Sequence, residues 1–146
     1  MRTRTVLVAG LVAVTAAGSV APAVAATKPK PKPIKIAYTA SAVPDPTSTN
    51  PVSGEICAPT SPAAKFSYTF KVPGAGVLDI AANNQLDWSI AVRDADGESL
   101  ATSDGGTPTD PEATSVRFKK AATVSIDTCN FAGEPEINVT GLFTYK

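Results

Sequence analysis

Apolar and polar side chains alternate with a period of two along most of the chain after residue 33, the period of strands half buried on one face. Ile34 to Thr39 alternates in this way. Phe66, Tyr68, Phe70 and Val72 recur at every second position. Beyond Pro73-Gly74-Ala75-Gly76 the set Leu78, Ile80, Ala82 alternates with Val77, Asp79, Ala81, which predicts two strands joined as a hairpin. In Leu86 to Arg93, the residues Leu86, Trp88, Ile90 and Val92 share one face, while Asp87, Ser89, Ala91 and Arg93 share the other. Asp94-Ala95-Asp96-Gly97 supplies turn chemistry, because Asp-Gly suits positions of positive φ, and Glu98 to Ser103 resumes as a short strand. Thr114 to Lys119 follows, with Val116 and Phe118 on one face. Ala122 to Cys129 sets Ala122, Val124, Ile126 and Thr128 against Thr123, Ser125, Asp127 and Cys129, and Ile137 to Tyr145 ends the pattern. The alternation shifts at Gly141, which predicts a bulge or bend there.

The segments between these strands are turn-rich. Ser41 to Pro62 is crowded with Pro, Ser, Thr, Gly and Asn, and Asp104 to Pro111 is a polar loop. No window carries a helical period. The fold class expected is therefore all-β, an antiparallel β-sandwich or jelly roll of seven to eight strands. Trp88 belongs to the core by its place in the alternation, and Tyr68 shares the apolar face of Phe66 and Phe70. Tyr38 and Tyr145, nearer the ends of the pattern, are the tyrosines expected at exposed contacts.

Ahead of the strands the chain changes character. Arg2 and Arg4 precede an apolar run, Val6 to Val14, that is too short to span a bilayer, and Ala23-Val24-Ala25 supplies an A-x-A cleavage pattern. Residues 1–26 thus read as a cleaved secretory signal peptide, residues 27–35 as a Lys/Pro-rich leader, and residues 36–146 as one β-sandwich domain. The alternation of Lys and Pro in the leader favours an extended, cationic spacer. Lys28, Lys30, Lys32 and Lys35 are all in it, and they offer an electrostatic contact to an anionic cell envelope.

The whole chain carries 13 basic and 13 acidic residues, but residues 36–146 carry 7 basic against 13 acidic, a sign opposite to that of a nucleic-acid-binding domain. Export also decides the reading of the two cysteines. In an oxidising compartment Cys57 and Cys129 are expected to pair, closing a loop of 72 positions. The chain has no His and no C-x-x-C spacing, which argues against a metal-binding or redox-active pair.

The absence of His removes the Ser-His-Asp and Cys-His arrangements of nucleophilic catalysis, and nothing marks out a Ser-Lys dyad or a carboxylate pair. No enzymatic activity is expected. The acidic cluster Asp87, Asp94, Asp96, Glu98, Asp104, Asp110 and Glu112 is the candidate for a divalent ion, since hard cations take several oxygen ligands from loops. Within it Asp94, Asp96, Glu98 and Asp104 are the calcium candidates, although Asp94 to Gly97 meets only part of the EF-hand pattern and is equally ordinary turn chemistry. Calcium is the one cofactor considered. Asn138-Val139-Thr140 fits the glycosylation sequon but falls within a strand, and is read as coincidence.

Taken in order, the motifs resemble the bacterial pre-peptidase C-terminal domain over residues 64–146. Phe66 to Val72 with Pro73 to Gly76 is similar to its opening strand and turn, and Asp87-Trp88-Ser89-Ile90-Ala91-Val92 to its D-x-D-L-x-L strand. Asp94 to Gly97 followed by Leu100 to Ser103 resembles its central hairpin. Glu112 to Phe118, Ala122 to Asp127 and Phe131-Ala132-Gly133 resemble its closing segments. Ser89 stands where that family has a second Asp, the strand at Val124 lacks its Gly-Thr-Tyr lead-in, and a disulfide is not general to it. The resemblance implies a secreted β-sandwich that accompanies peptidases or other hydrolases, some members binding collagen or other polymers, at times with calcium. The function expected is a non-enzymatic extracellular module with a structural or adhesive role. Its alternatives are binding of a polymer such as collagen, peptide or polysaccharide, and service as accessory or inhibitor of a secreted peptidase.

Overall fold

The structure, a computed structural model, describes residues 29–45, 55–83, 87–105 and 111–146. The signal-peptide reading of residues 1–26, and Lys28, Leu86 and Asp110, lie outside the described residues. The predicted strand segments form eight strands: β1 (Ile34–Ser41), β2 (Lys65–Val72), β3 (Gly76–Asn83), β4 (Asp87–Arg93), β5 (Ser99–Ser103), β6 (Glu112–Phe118), β7 (Ala122–Ala132) and β8 (Glu136–Tyr145). One short 3₁₀ turn, Pro62–Ala64, precedes β2.

Two antiparallel sheets of four strands result, ordered β1-β8-β3-β6 and β2-β7-β4-β5. The order has a simple origin. β1 pairs with β8, β2 with β7, β3 with β6 and β4 with β5, so the chain is folded back on itself about the β4–β5 turn. That doubled ribbon rolls up so that β8 also pairs with β3 and β7 with β4. This is the jelly-roll form of the sandwich. Leu78, Ile80, Trp88, Ile90, Val124, Ile126, Val139 and Phe143 fill the space between the sheets, each almost wholly buried.

Among the described strands, only β4 and β5 are joined as a hairpin within one sheet. It closes on Gly97 at φ +87°, a conformation open to glycine without a Cβ penalty. The hairpin expected across Pro73 to Gly76 is not one: β2 and β3 belong to opposite sheets, and residues 73–75 carry the chain across the core. Sheets packed face to face lie about 10 Å apart, a gap three extended residues can bridge. Crossing at this point lets Val72 and Leu78 face the same core from opposite sides.

Gly141 is a second correction. β8 runs through it with unbroken register, Gly141 opposite Ile36 on one side and Ile80 on the other. It is an inward position in the series Ile137, Val139, Gly141, Phe143, Tyr145, and the missing side chain is replaced by its neighbours. A Cβ there would lie 2.5 Å from Ile80 Cδ1 and 3.3 Å from Ile36 Cβ. The apparent shift of register was an inward glycine followed by the outward Leu142.

Tyr38 is the third. Its ring stacks on Tyr68 at 4.5 Å and on Phe66 at 5.6 Å, closing the gap between the edge strands β1 and β2, and its hydroxyl is buried. Tyr145 is half buried, edge-on to Phe143.

Candidate functional site

A sandwich has two outer faces, and here they are treated differently. The outer face of the β2-β7-β4-β5 sheet is covered in part by residues 55–64, over Ala91, Cys129 and Phe131, while Ser67, Thr69 and Lys71 stay exposed. Cys57 and Cys129 form a disulfide, Cα–Cα 5.3 Å, which draws this segment onto the sheet. Beneath it Ile56, Ala91, Cys129 and Phe131 make a second small apolar cluster. β4 is consequently buried on both faces from Trp88 to Val92, including Ser89 and Ala91 on the face that alternation leaves outside.

Arg93 ties this cover down. Its guanidinium reaches Glu55 at 3.2 Å and donates to the Ile56 carbonyl at 3.0 Å, to Ser99 Oγ at 3.0 Å and to the Gly97 carbonyl at 3.3 Å. Its Nε lies 3.3 Å from Asp127, a buried carboxylate that also accepts from the hydroxyls of Ser67, at 2.8 Å, and Ser125. Lys65 approaches the same carboxylate at 3.8 Å. Hydrogen bonds and ion pairs of this kind offset the hydration that a buried polar group gives up. The arrangement is structural: it fastens segment, hairpin and sheet together.

The outer face of the β1-β8-β3-β6 sheet has no such cover among the described residues. A hollow of about 730 Å³ crosses all four strands at the level of Gly141. The pairing register shows how it is built. One row across the sheet is Ala37, Thr140, Ala81, Ala113, and the next is Lys35, Leu142, Asp79, Ser115. Three alanines make the first row low, and the inward Gly141 lets the chain of β8 sit close over Ile80. Leu142, 37% exposed, stands beside the row of alanines, with Lys35 and Asp79 on either side of it. Asp79 is held by the Ser115 hydroxyl at 2.7 Å. The result is an open trough with a mostly apolar wall and a few hydrogen-bonding groups, the usual make-up of a recognition surface.

The acidic residues singled out in the sequence separate into two groups. Asp94, Asp96 and Glu98 are in the β4–β5 turn, where the Asp94 carboxylate accepts from the backbone N–H groups of Asp96 and Glu98, both at 3.0 Å. Asp104 follows the other end of β5, which at strand rise is roughly 17 Å away. There it lies within electrostatic range of Asp87 and Glu112. Glu112 is buried and accepts from Ser103 Oγ at 2.5 Å and from the Gly105 N–H at 2.7 Å. Burial raises its carboxyl pKa, and the charges of Asp104 and Asp87 raise it further, against the lowering effect of those two hydrogen bonds. Among the described residues no three His, Cys, Asp or Glu side chains are gathered to hold a metal ion.

Burial pushes the Tyr38 phenol up to about 12, the nearby Thr128 hydroxyl only partly opposing it. The ring is thus a neutral structural element rather than a surface contact. Among the described residues no helix is long and apolar enough to cross a membrane. The trough residues Ala37, Ala81, Ala113 and Thr140 had no signature in the sequence, because small outward residues on separate strands form a site only when the register aligns them.

No protein-family model matches the chain, and no curated protein matches it.

Proposed function

We propose that this is a non-enzymatic secreted module with a structural or adhesive role, and that the bare outer face of the β1-β8-β3-β6 sheet is the surface it presents to an extracellular partner. One observation carries the reading: a disulfide-pinned segment covers part of one outer face, whereas the other is an open trough across four strands with no cover among the described residues. The export pattern of residues 1–26, the motif resemblance to the pre-peptidase C-terminal domain and the lack of His support it from the sequence. The shape favours a thin extended occupant, because the low row of small residues runs across the sheet rather than sinking between its layers. Polymer binding is therefore the form of adhesion favoured over service to a peptidase.

Retention of the purified protein on insoluble collagen, cellulose, chitin and the envelope fraction of the producing culture tests this. Ala81→Arg fills the trough from its floor with a side chain that can still reach solvent, and Thr69→Arg places the same charge on the opposite sheet. Retention should fall about tenfold or more in Ala81→Arg and stay near the original in Thr69→Arg. Equal retention of both would remove the trough from the function, and retention on no support at low salt would overturn the adhesive reading.

A further inference from the structure

The topology sorts the charged residues by the two ends of the strands, an arrangement that does not exist along the sequence. One end of the sandwich holds the start of β1, the end of β2, the start of β3, the end of β6, the start of β7 and the end of β8. The register fixes this: Ile34 is opposite Phe143, Gly76 opposite both Tyr145 and Phe118, and Val72 opposite Ala122. The 73–75 and 119–121 connections cross between the sheets at this same end.

Basic residues collect there from four separate parts of the chain. Lys30 and Lys32 lead into β1, which carries Lys35. Lys71 is next to the last residue of β2. Arg117 is near the end of β6, and Lys119 and Lys120 lie on the connection to β7. Lys146 follows β8 and donates its backbone N–H to the Ala75 carbonyl, which places it over the β2–β3 connection. All eight side chains are exposed, and among the described residues none of them forms a salt bridge.

The opposite end is acidic. Asp87, Asp104, Glu112, Glu134 and Glu136 are found there, at or beyond the starts of β4, β6 and β8 and the end of β5, with Lys65 the basic exception. Asp94, Asp96 and Glu98 border the basic end, but they sit on the β4–β5 side of it, away from β1 and β2. Arg117, Lys119 and Lys120 adjoin that turn, because β6 packs against β5 and β4, while the basic residues of β1, β2 and β8 lie away from it.

We infer that this basic end, together with residues 30–35, is a second interaction surface, for a flexible linear polyanion whose repeating phosphate groups follow the patch and the extended Lys/Pro stretch. Three spacings between neighbouring strands place β1 and β6 roughly 14 Å apart, well within the Debye length of about 30 Å at 10 mM salt and nearly two Debye lengths at physiological salt. Cations this close reinforce one another and release counterions when a polyanion replaces them. The partner is defined by charge. Among the described residues Val43, Leu100 and Leu142 are the exposed large hydrophobics, so no exposed ring offers a stacking platform to a base or an uncharged sugar. This surface is independent of the trough and shares only Lys35 with it.

Inorganic polyphosphate is the probe, with affinity measured for the purified protein between about 20 and 150 mM salt. Two triple variants divide the surface: K30Q/K32Q/K35Q in the extended stretch, and K71Q/K119Q/K120Q on the folded end. Each should weaken binding at low salt about tenfold or more and reduce the slope of log affinity against log salt by about two to three, with the melting temperature unchanged. The inference is overturned if polyphosphate does not bind at low salt, or if the second triple variant binds like the original, because a tail alone then does the work. It is also overturned if phosphatidylglycerol vesicles bind tightly while polyphosphate does not, or if sedimentation without polymer shows salt-sensitive oligomers, the basic end having then met the acidic end of a second copy. None of these outcomes touches the Ala81→Arg result, so the two readings fail separately.

Discussion

Asp127 shows how much of this molecule depends on single side chains whose importance is set by their surroundings. It sits on the outward face of a strand, yet it is buried because Arg93, Lys65, Ser67 and Ser125 converge on it beneath the 55–64 segment. Asp127→Ala leaves the half-buried Arg93 without its innermost partner and should destabilise by about 3–5 kcal/mol, read from the urea midpoint of Trp88 fluorescence. Asp127→Asn keeps an acceptor for the two hydroxyls and should lose less. Equal stability of all three would mean that the cover is held by the disulfide alone. Gly141 is the corresponding packing position. Gly141→Val drives two methyl groups into Ile80 and Ile36 and should cost about 1–3 kcal/mol by overpacking. Gly74→Ala, with nothing within 4 Å of the new Cβ, should be nearly neutral.

At the scale of elements, the joint between β5 and β6 is where pH acts. The Glu112 carboxylate holds Ser103 and the Gly105 N–H, and Ser103 Oγ accepts in turn from the Ala113 N–H at 3.0 Å. Its folded pKa is raised, first by burial and then by Asp104 and Asp87. A raised folded pKa means that the native state binds the proton more tightly than the unfolded chain. The stabilisation is complete below the unfolded value of 4.5 and is lost as pH rises through the higher folded value. Asp87 is shifted in the same direction, by partial burial and then by Asp104. Measured as the difference in urea midpoint between the protein and Glu112→Gln, the protein should lose ground to the variant as pH increases from about 4.5 toward neutrality. A difference that stays constant with pH would show that Glu112 titrates normally.

The elements themselves were legible where local chemistry decides. Period two located seven of the eight strands, and Asp96-Gly97 marked the β4–β5 turn and with it β5, because a positive φ has a residue preference of its own. The Pro73 to Gly76 turn was visible but not its destination. A hairpin and a crossing between sheets use the same turn residues and the same apolar alternation, and only the competition among eight strands for partners separates them. The candidate site followed the same rule. Leu142 and Asp79 are unremarkable in sequence, and they flank a trough because β8 pairs with β1 and β3 at once.

The whole molecule is a closed sandwich stapled at one place. The Cys57–Cys129 bond joins residues 72 apart and, in the chain-entropy model, stabilises by about 4 kcal/mol. Cys57→Ala/Cys129→Ala should therefore lower stability by about 2–4 kcal/mol. Proteolysis of the variant should begin within residues 55–64, where the first half of the segment then keeps Arg93 and the small cluster around Phe131, and the second half the hydrogen bonds that join Ser61 with Asp45 and Ala63 with Val43. First cleavage elsewhere would show that the staple serves the whole sandwich without holding its cover.

The sequence by itself determined the all-β class, the strand segments, the buried Trp88 and the pairing of its two cysteines. Each follows from side-chain period, residue-specific φ preference or a count, none of which needs a partner in space. Tertiary structure alone decided that one outer face is partly covered and the other, among the described residues, is not, that the Tyr38 ring packs inward, and that lysines from four parts of the chain meet at one end. Those are properties of register and of which strand neighbours which, and they come into being only when distant segments satisfy each other's backbone hydrogen bonds around a shared core.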